Sequence, residues 1–144
     1  MAHNCKTLII HCMDFRLGKP MKEYLERNNL LGDCDIISVA GGVKSLLTPK
    51  NTSDRDFILS QIEISVNLHK IQEVIISNHT DCGAYGGSAK FNSFEEECEF
   101  HIQEMSKARE LISDKYPNIE IKMALGKIEL SGQIAIEEER ILKD

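Results

Sequence analysis

His79-Thr80-Asp81-Cys82-Gly83 places an imidazole and a thiol three residues apart. The segment directly follows a short apolar run, Glu73-Val74-Ile75-Ile76-Ser77, that reads as a buried strand. Imidazole nitrogen and thiolate sulfur are donors that a tetrahedral zinc ion takes, and a His-x-x-Cys turn at a strand end can bring both round one ion. Gly83 is expected to let the backbone reverse where a side chain would crowd it. Two donors make half a site, so the next question is which elements bring in the rest.

The first candidate strand, Lys6 to His11, ends at Cys12-Met13-Asp14-Phe15-Arg16. The second, Cys34 to Val39, runs into Ala40-Gly41-Gly42, where paired glycines suit a tight strand-to-helix turn or a close approach of backbone to a ligand. The third is Glu73 to Ser77. Between them the pattern predicts a helix over Met21–Asn28, with Pro20 in its first turn. A second helix is expected over about Asp54–His69, capped by Ser53 or Asp54, with Ile58, Ile62 and Val66 on one face. A long helix over Ser93–Lys115 follows, with Phe94, Cys98, Ile102, Met105, Ala108 and Ile112 as its buried stripe, and Pro117 ends it. The acidic run Glu95-Glu96-Glu97 reads as its solvated beginning. Ile119–Leu125 alternates with period two, and Leu130-Ser131-Gly132-Gln133-Ile134 suggests a hairpin. This order predicts one α/β domain over residues 1–144, with a mainly parallel central sheet of about four to five strands flanked by helices. Ligands of such sheets gather beyond the carboxyl ends of the strands. The three loops after the strands would then lie along one edge.

On that edge Cys12 is the natural third ligand. Cys12, His79 and Cys82 form a set of two cysteines and one histidine with one position left for water, the arrangement of catalytic rather than structural zinc. Such a metal lowers the pKa of its water toward about 7. In extended chain, residues two apart share a face, so Asp14 and Arg16 are expected to pair bidentately. Arg16 would hold Asp14 off the metal, free to accept a proton. Unpaired, Asp14 would close the fourth position. Asp81 could act on a ligand from behind or simply face solvent, and Tyr85 could line a pocket or pack. His3, His11, His69 and His101 carry no spacing signal.

Cys12-Met13-Asp14-Phe15-Arg16 and His79-Thr80-Asp81-Cys82-Gly83, in this order and separated by an Ala-Gly-Gly turn and a helix, resemble the paired signatures of the β-class carbonic anhydrases. The resemblance runs from about Lys6 to Gly87. It implies zinc held by Cys12, His79 and Cys82, with Asp14 and Arg16 as the catalytic dyad that gates the metal. The implied reaction is reversible hydration of carbon dioxide to bicarbonate by zinc hydroxide. A pocket lined by Ala40, Gly41, Gly42 and Gly83 is expected beside it. The resemblance also implies a homodimer or higher homo-oligomer. Two departures stand out. The first strand begins almost at Met1, where family members carry a helical arm that wraps the partner subunit. Ser38-Val39 stands where the family carries Arg-Asn before the Ala-Gly turn.

A chain of 144 residues can bury a core without disulfide staples. Its net charge of −6 argues against nucleic acid or an anionic membrane as partner. No apolar run approaches the roughly 20 residues of a membrane helix. The first residues lack a signal-peptide pattern, so a cytoplasmic location is expected. The five cysteines, Cys5, Cys12, Cys34, Cys82 and Cys98, contain no Cys-x-x-Cys, which favours buried thiols or metal ligands over disulfides and disfavours a thiol redox protein. Two alternatives use the same metal set: a related CS2 or COS hydrolase, and a non-catalytic zinc-binding protein whose fourth position is closed by Asp14.

Overall fold

The computed structural model describes residues 3–140. Five strands form one sheet in the order β2-β1-β3-β4-β5: β1 (Thr7–His11), β2 (Cys34–Ser38), β3 (Glu73–His79), β4 (Glu120–Ile128) and β5 (Ile134–Glu139). The first four are mutually parallel, and β5 returns antiparallel to β4 as the expected hairpin. The chain passes from β1 to β2 on one side and then crosses to β3 on the other. The point where strand order reverses therefore lies between β1 and β3.

Side chains alternate across each strand, and both faces are covered. Leu8, Ile10, Val74, Ile76 and Met123 face one core with Ile58, Ile62, Met105 and Ile112 of the helices α3 (Thr52–His69) and α4 (Phe94–Lys115). Ile9, Ile75, Ala124 and Ile136 face the other with Met21, Tyr24 and Leu25 of α1 (Gly18–Arg27). This is the predicted parallel-centred α/β architecture.

Several local expectations are corrected. α1 starts at Gly18 rather than Met21, with Pro20 still in its first turn. α3 starts at Thr52 with Asn51 at the N-cap position and no side-chain capping bond, so neither Ser53 nor Asp54 caps it. A four-residue helix, α2 (Lys44–Leu47), follows the Ala-Gly-Gly turn. Such a piece is too short to carry a 3.6-residue periodicity. β3 runs on to His79, so the imidazole stands on the strand itself. The buried face of α4 includes Glu97, His101 and Glu104, while Phe94 is exposed. Glu97 and His101 lie on that face because each is hydrogen-bonded or stacked near the loops at the strand ends.

Candidate metal centre

Cys12 follows the last residue of β1, His79 ends β3, and Cys82 sits one turn further on. All three are buried. Their ligand atoms lie within 4.8 Å of one another, and the two sulfurs are 3.9 Å apart. They meet at the switch point between β1 and β3, where open parallel sheets bind ligands. Gly126 of β4, the register partner of His79, gives the histidine its room: a Cβ added there would stand 3.0 Å from the His79 Cβ.

The orientation of His79 is fixed from behind. Its Nδ1 lies 2.6 Å from the Thr80 carbonyl oxygen, which can only accept, so Nδ1 carries the proton. Thr80 is held in turn, its N–H donating to Gly126 O and its hydroxyl accepting from Ile128 N–H. Nε2 is left with its lone pair toward the two sulfurs. That atom is buried and has no hydrogen-bond partner among the described residues. A backbone-anchored imidazole with a bare, buried second nitrogen is the form in which histidine binds metal.

The three groups also compete for protons. The sulfurs share protons as a pair. The hydrogen bond from Cys82 holds Cys12 far below the ordinary thiol range, and His79 adds to it against the effect of burial. The Cys12 thiolate, helped by burial, pushes Cys82 up. Burial disfavours the His79 imidazolium, but the Cys12 thiolate outweighs it and His79 is pushed up. The pair gives up one proton readily and holds the other, and a cation bound there would take its place. A buried set of two sulfurs and one imidazole nitrogen fits a zinc-type cation.

Asp14 and Arg16 pair as expected, but for another reason. The chain after Cys12 is not extended: Asp14 caps a 3₁₀ turn, Phe15–Leu17, accepting the Arg16 N–H at 2.9 Å. Arg16 Nε donates to Asp14 Oδ1 at 3.0 Å and Nη2 donates to Oδ2 at 2.8 Å. The tight turn supplies the bidentate geometry that the strand face was expected to supply. The guanidinium holds the Asp14 carboxyl down to about 2. Asp14 Oδ2 lies 3.9 Å from His79 Nε2.

Asp81 completes this arrangement. Its backbone is left-handed, with φ 54°. Its carbonyl accepts from Arg16 Nη2 at 2.9 Å and its Oδ2 from Nη1 at 3.1 Å. It is thus a clamp on Arg16, not a residue that merely faces solvent. Glu97 supports it in turn. That carboxylate is 1% exposed, accepting the Asp81 N–H and the Ser88 hydroxyl, each at 2.7 Å. Glu97 is therefore corrected from a solvated helix beginning to a buried anchor. The Ser93 hydroxyl caps α4 by accepting Glu96 N–H, which frees Glu97 to turn inward.

The predicted pocket residues divide. The Gly41 N–H donates to Cys12 Sγ at 3.4 Å, so this turn does approach the site. Gly42 is tight against β3: a Cβ there would lie 2.5 Å from Ser77 O. Ala40 is exposed. Gly83 is corrected, since a Cβ there would meet nothing within 4 Å. The reversal falls instead on Asp81, Gly86 and Gly87, all with positive φ. Tyr85 packs edge-on to His101 and accepts a hydrogen bond from Asn78 Nδ2. Asn78 also accepts Val43 N–H and contacts His101 Nδ1, joining β3 to the start of α2 and to α4 behind the site. A cavity of about 570 Å³ touches Arg16 and Asp81 from the side of Phe91, Phe94, Ile128 and Ile134.

A family model described as "Putative carbonic anhydrase" matches residues 2–125. The chain belongs to this family. An uncharacterized protein of Rickettsia bellii (strain RML369-C) is 32% identical over 122 residues, which cover 83% of this chain and 74% of the relative. Among solved structures, a carbonic anhydrase from Glaciozyma antarctica matches with a TM-score of 0.59 at 18% identity, covering 94% of this chain and 83% of that one. The β-carbonic anhydrase CafA of Aspergillus fumigatus matches with a TM-score of 0.55 at 16% identity, covering 99% and 78%. The fold is that of the β-carbonic anhydrases, and within this carbonic anhydrase family Cys12, His79 and Cys82 form a group that could hold a metal ion.

Proposed function

We propose that this protein is a zinc-dependent carbonic anhydrase that interconverts carbon dioxide and bicarbonate. The observation that carries the reading is the bare, buried Nε2 of His79 set beside two thiols, with the nearest carboxylate, Asp14, held away from them by Arg16. Family membership and the fold support the same reaction class. Cys12, His79 and Cys82 would hold the zinc. When bound, zinc lowers the pKa of water toward about 7 and supplies hydroxide for attack on the carbon of CO2.

The remaining work falls to the chain's own groups. Asp14 Oδ1 is occupied by two Arg16 donors, and Oδ2 by one. The open lone pair on Oδ2 would therefore accept a hydrogen bond from the nucleophile and orient its oxygen. With its carboxyl held down to about 2, Asp14 stays ionised near neutral pH. It acts as an acceptor and gate, and it does not store the released proton. Arg16, clamped by Asp81, keeps that carboxylate from swinging onto the cation. Cys12 and Cys82 must stay reduced to serve as thiolate ligands, which suits a reducing, cytoplasmic compartment. The homodimer proposed with it is supported by β2, a sheet edge unpaired among the described residues, on which Ile36 is 54% exposed.

Stopped-flow CO2 hydration by the zinc-loaded protein tests this reading. Activity rising with pH through the range near 7, and abolished in Cys82→Ser, is the expected result. A fully zinc-loaded sample inactive at every pH up to about 9 would leave a non-catalytic zinc protein, because the water would be ionised by then.

A further inference from the structure

A second group of metal-type donors lies at the opposite end of the sheet. Cys5 precedes β1, Asp35 stands near the start of β2, and His69 closes α3. Their ligand atoms all fall within 4.8 Å of one another. Cys5 and Cys12 are separated by the length of β1, on the order of 23 Å of extended chain, so the two groups cannot share one ion.

The donors are held in place by backbone and side-chain contacts. The Cys5 N–H donates to His69 O at 3.0 Å, which ties the segment before β1 to the end of α3. Ser65 Oγ donates to Asp35 Oδ2 at 2.6 Å, and His69 Nδ1 lies 2.6 Å from the same oxygen. The Cys5 thiol makes a long contact, 3.6 Å, to Thr7 O. All three residues are half-buried and border an open cavity of about 350 Å³, which His3 and Cys34 also line. Solvated ions can reach it. The last turn of α3 carries the negative end of the helix dipole, which favours a cation beside His69.

We infer that Cys5, Asp35 and His69 form a second site for a divalent cation of the zinc class, with solvent completing its coordination. One thiolate, one carboxylate and one imidazole are all accepted zinc donors, and together they neutralise a divalent ion. On binding, the cation takes the Nδ1 lone pair, the imidazole proton moves to Nε2, and the Cys5 thiol proton passes to solvent. The ion then joins the segment before β1, the start of β2 and the end of α3. Because the unfolded chain does not hold these donors together, binding stabilises the fold by mass action.

The full chain, stripped with chelator and dialysed against Zn2+, tests the assignment. Wild type is expected to bind a zinc equivalent that His69→Ala and Cys5→Ser each lose, with native far-UV circular dichroism and unchanged CO2 hydration. The Cys12→Ser/Cys82→Ser variant is expected to retain that equivalent. Loaded with Co2+, it should show thiolate-to-metal charge-transfer absorption that disappears when Cys5→Ser is added. Zinc binding by wild type that neither His69→Ala nor Cys5→Ser changes would overturn the site. So would a folded Cys12→Ser/Cys82→Ser variant that takes up no Zn2+ or Co2+. Failure of the first centre alone would instead show as wild-type zinc that is lost entirely in His69→Ala.

Discussion

Asp14 is the residue on which the proposed catalysis and the stability of the fold meet. Arg16 supplies three of its hydrogen bonds, and Asp81 fixes Arg16. Arg16→Ala should retain zinc yet lower CO2 hydration on the order of 10²-fold, because the freed carboxylate can turn onto the metal; metal content and stopped-flow rates on one sample check this. Stability should carry a matching signature. The Asp14 carboxyl lies at about 2 in the fold, against an ordinary value of 3.8. Between those values the native state binds fewer protons than the unfolded one. The contribution is therefore complete above 3.8 and is lost as pH falls through about 2. It amounts to roughly 1–2 kcal/mol after allowance for partial exposure of Arg16. Denaturant unfolding of wild type and Asp14→Asn between about pH 2 and about pH 6 should show the difference shrinking as pH falls. Residue identity made Cys12, His79 and Cys82 readable in the sequence, since donors of the right type stand at or just past strand ends. Glu97 was hidden because three consecutive glutamates look like a solvated face. Only the fold reveals that the third turns inward to hold Asp81.

At the scale of elements, the central strands were legible as short apolar runs that feed both cores, and the long helices because each turns a hydrophobic face to one of them. What escaped was short or irregular. The four residues of α2 and the 3₁₀ turn after Cys12 bury too little to leave a pattern, yet that turn gives the Asp14–Arg16 pair its geometry. The glycine assignment shows the same limit. Gly42 has φ +60°, and a Cβ would press on Ser77 O and Asn78 Oδ1, while Gly83 faces open space. Gly42→Ala should cost about 2–4 kcal/mol through strain and backbone displacement. Gly83→Ala should stay within about 0.5 kcal/mol. Thermal or denaturant unfolding of the two variants separates a turn that needs glycine from one that tolerates a side chain.

For the whole molecule, chain order brought the site together. Parallel strands send all their following loops to one edge, and the reversal between β1 and β3 creates the crevice into which Cys12, His79 and Cys82 point. Sequence order could indicate that convergence but not the distances within it. The same topology leaves β2 at the sheet margin with Ile36 exposed. A homodimer paired through that margin should dissociate in Ile36→Lys, and light scattering coupled to gel filtration should record the halved mass. An unaltered mass would move the interface elsewhere. The most direct test of the centre is zinc-edge X-ray absorption on the His69→Ala protein, whose only expected zinc lies between β1 and β3. Two sulfur neighbours at about 2.3 Å, with nitrogen and oxygen neighbours at about 2.0–2.1 Å, are predicted. A zinc spectrum without a sulfur shell would contradict the account.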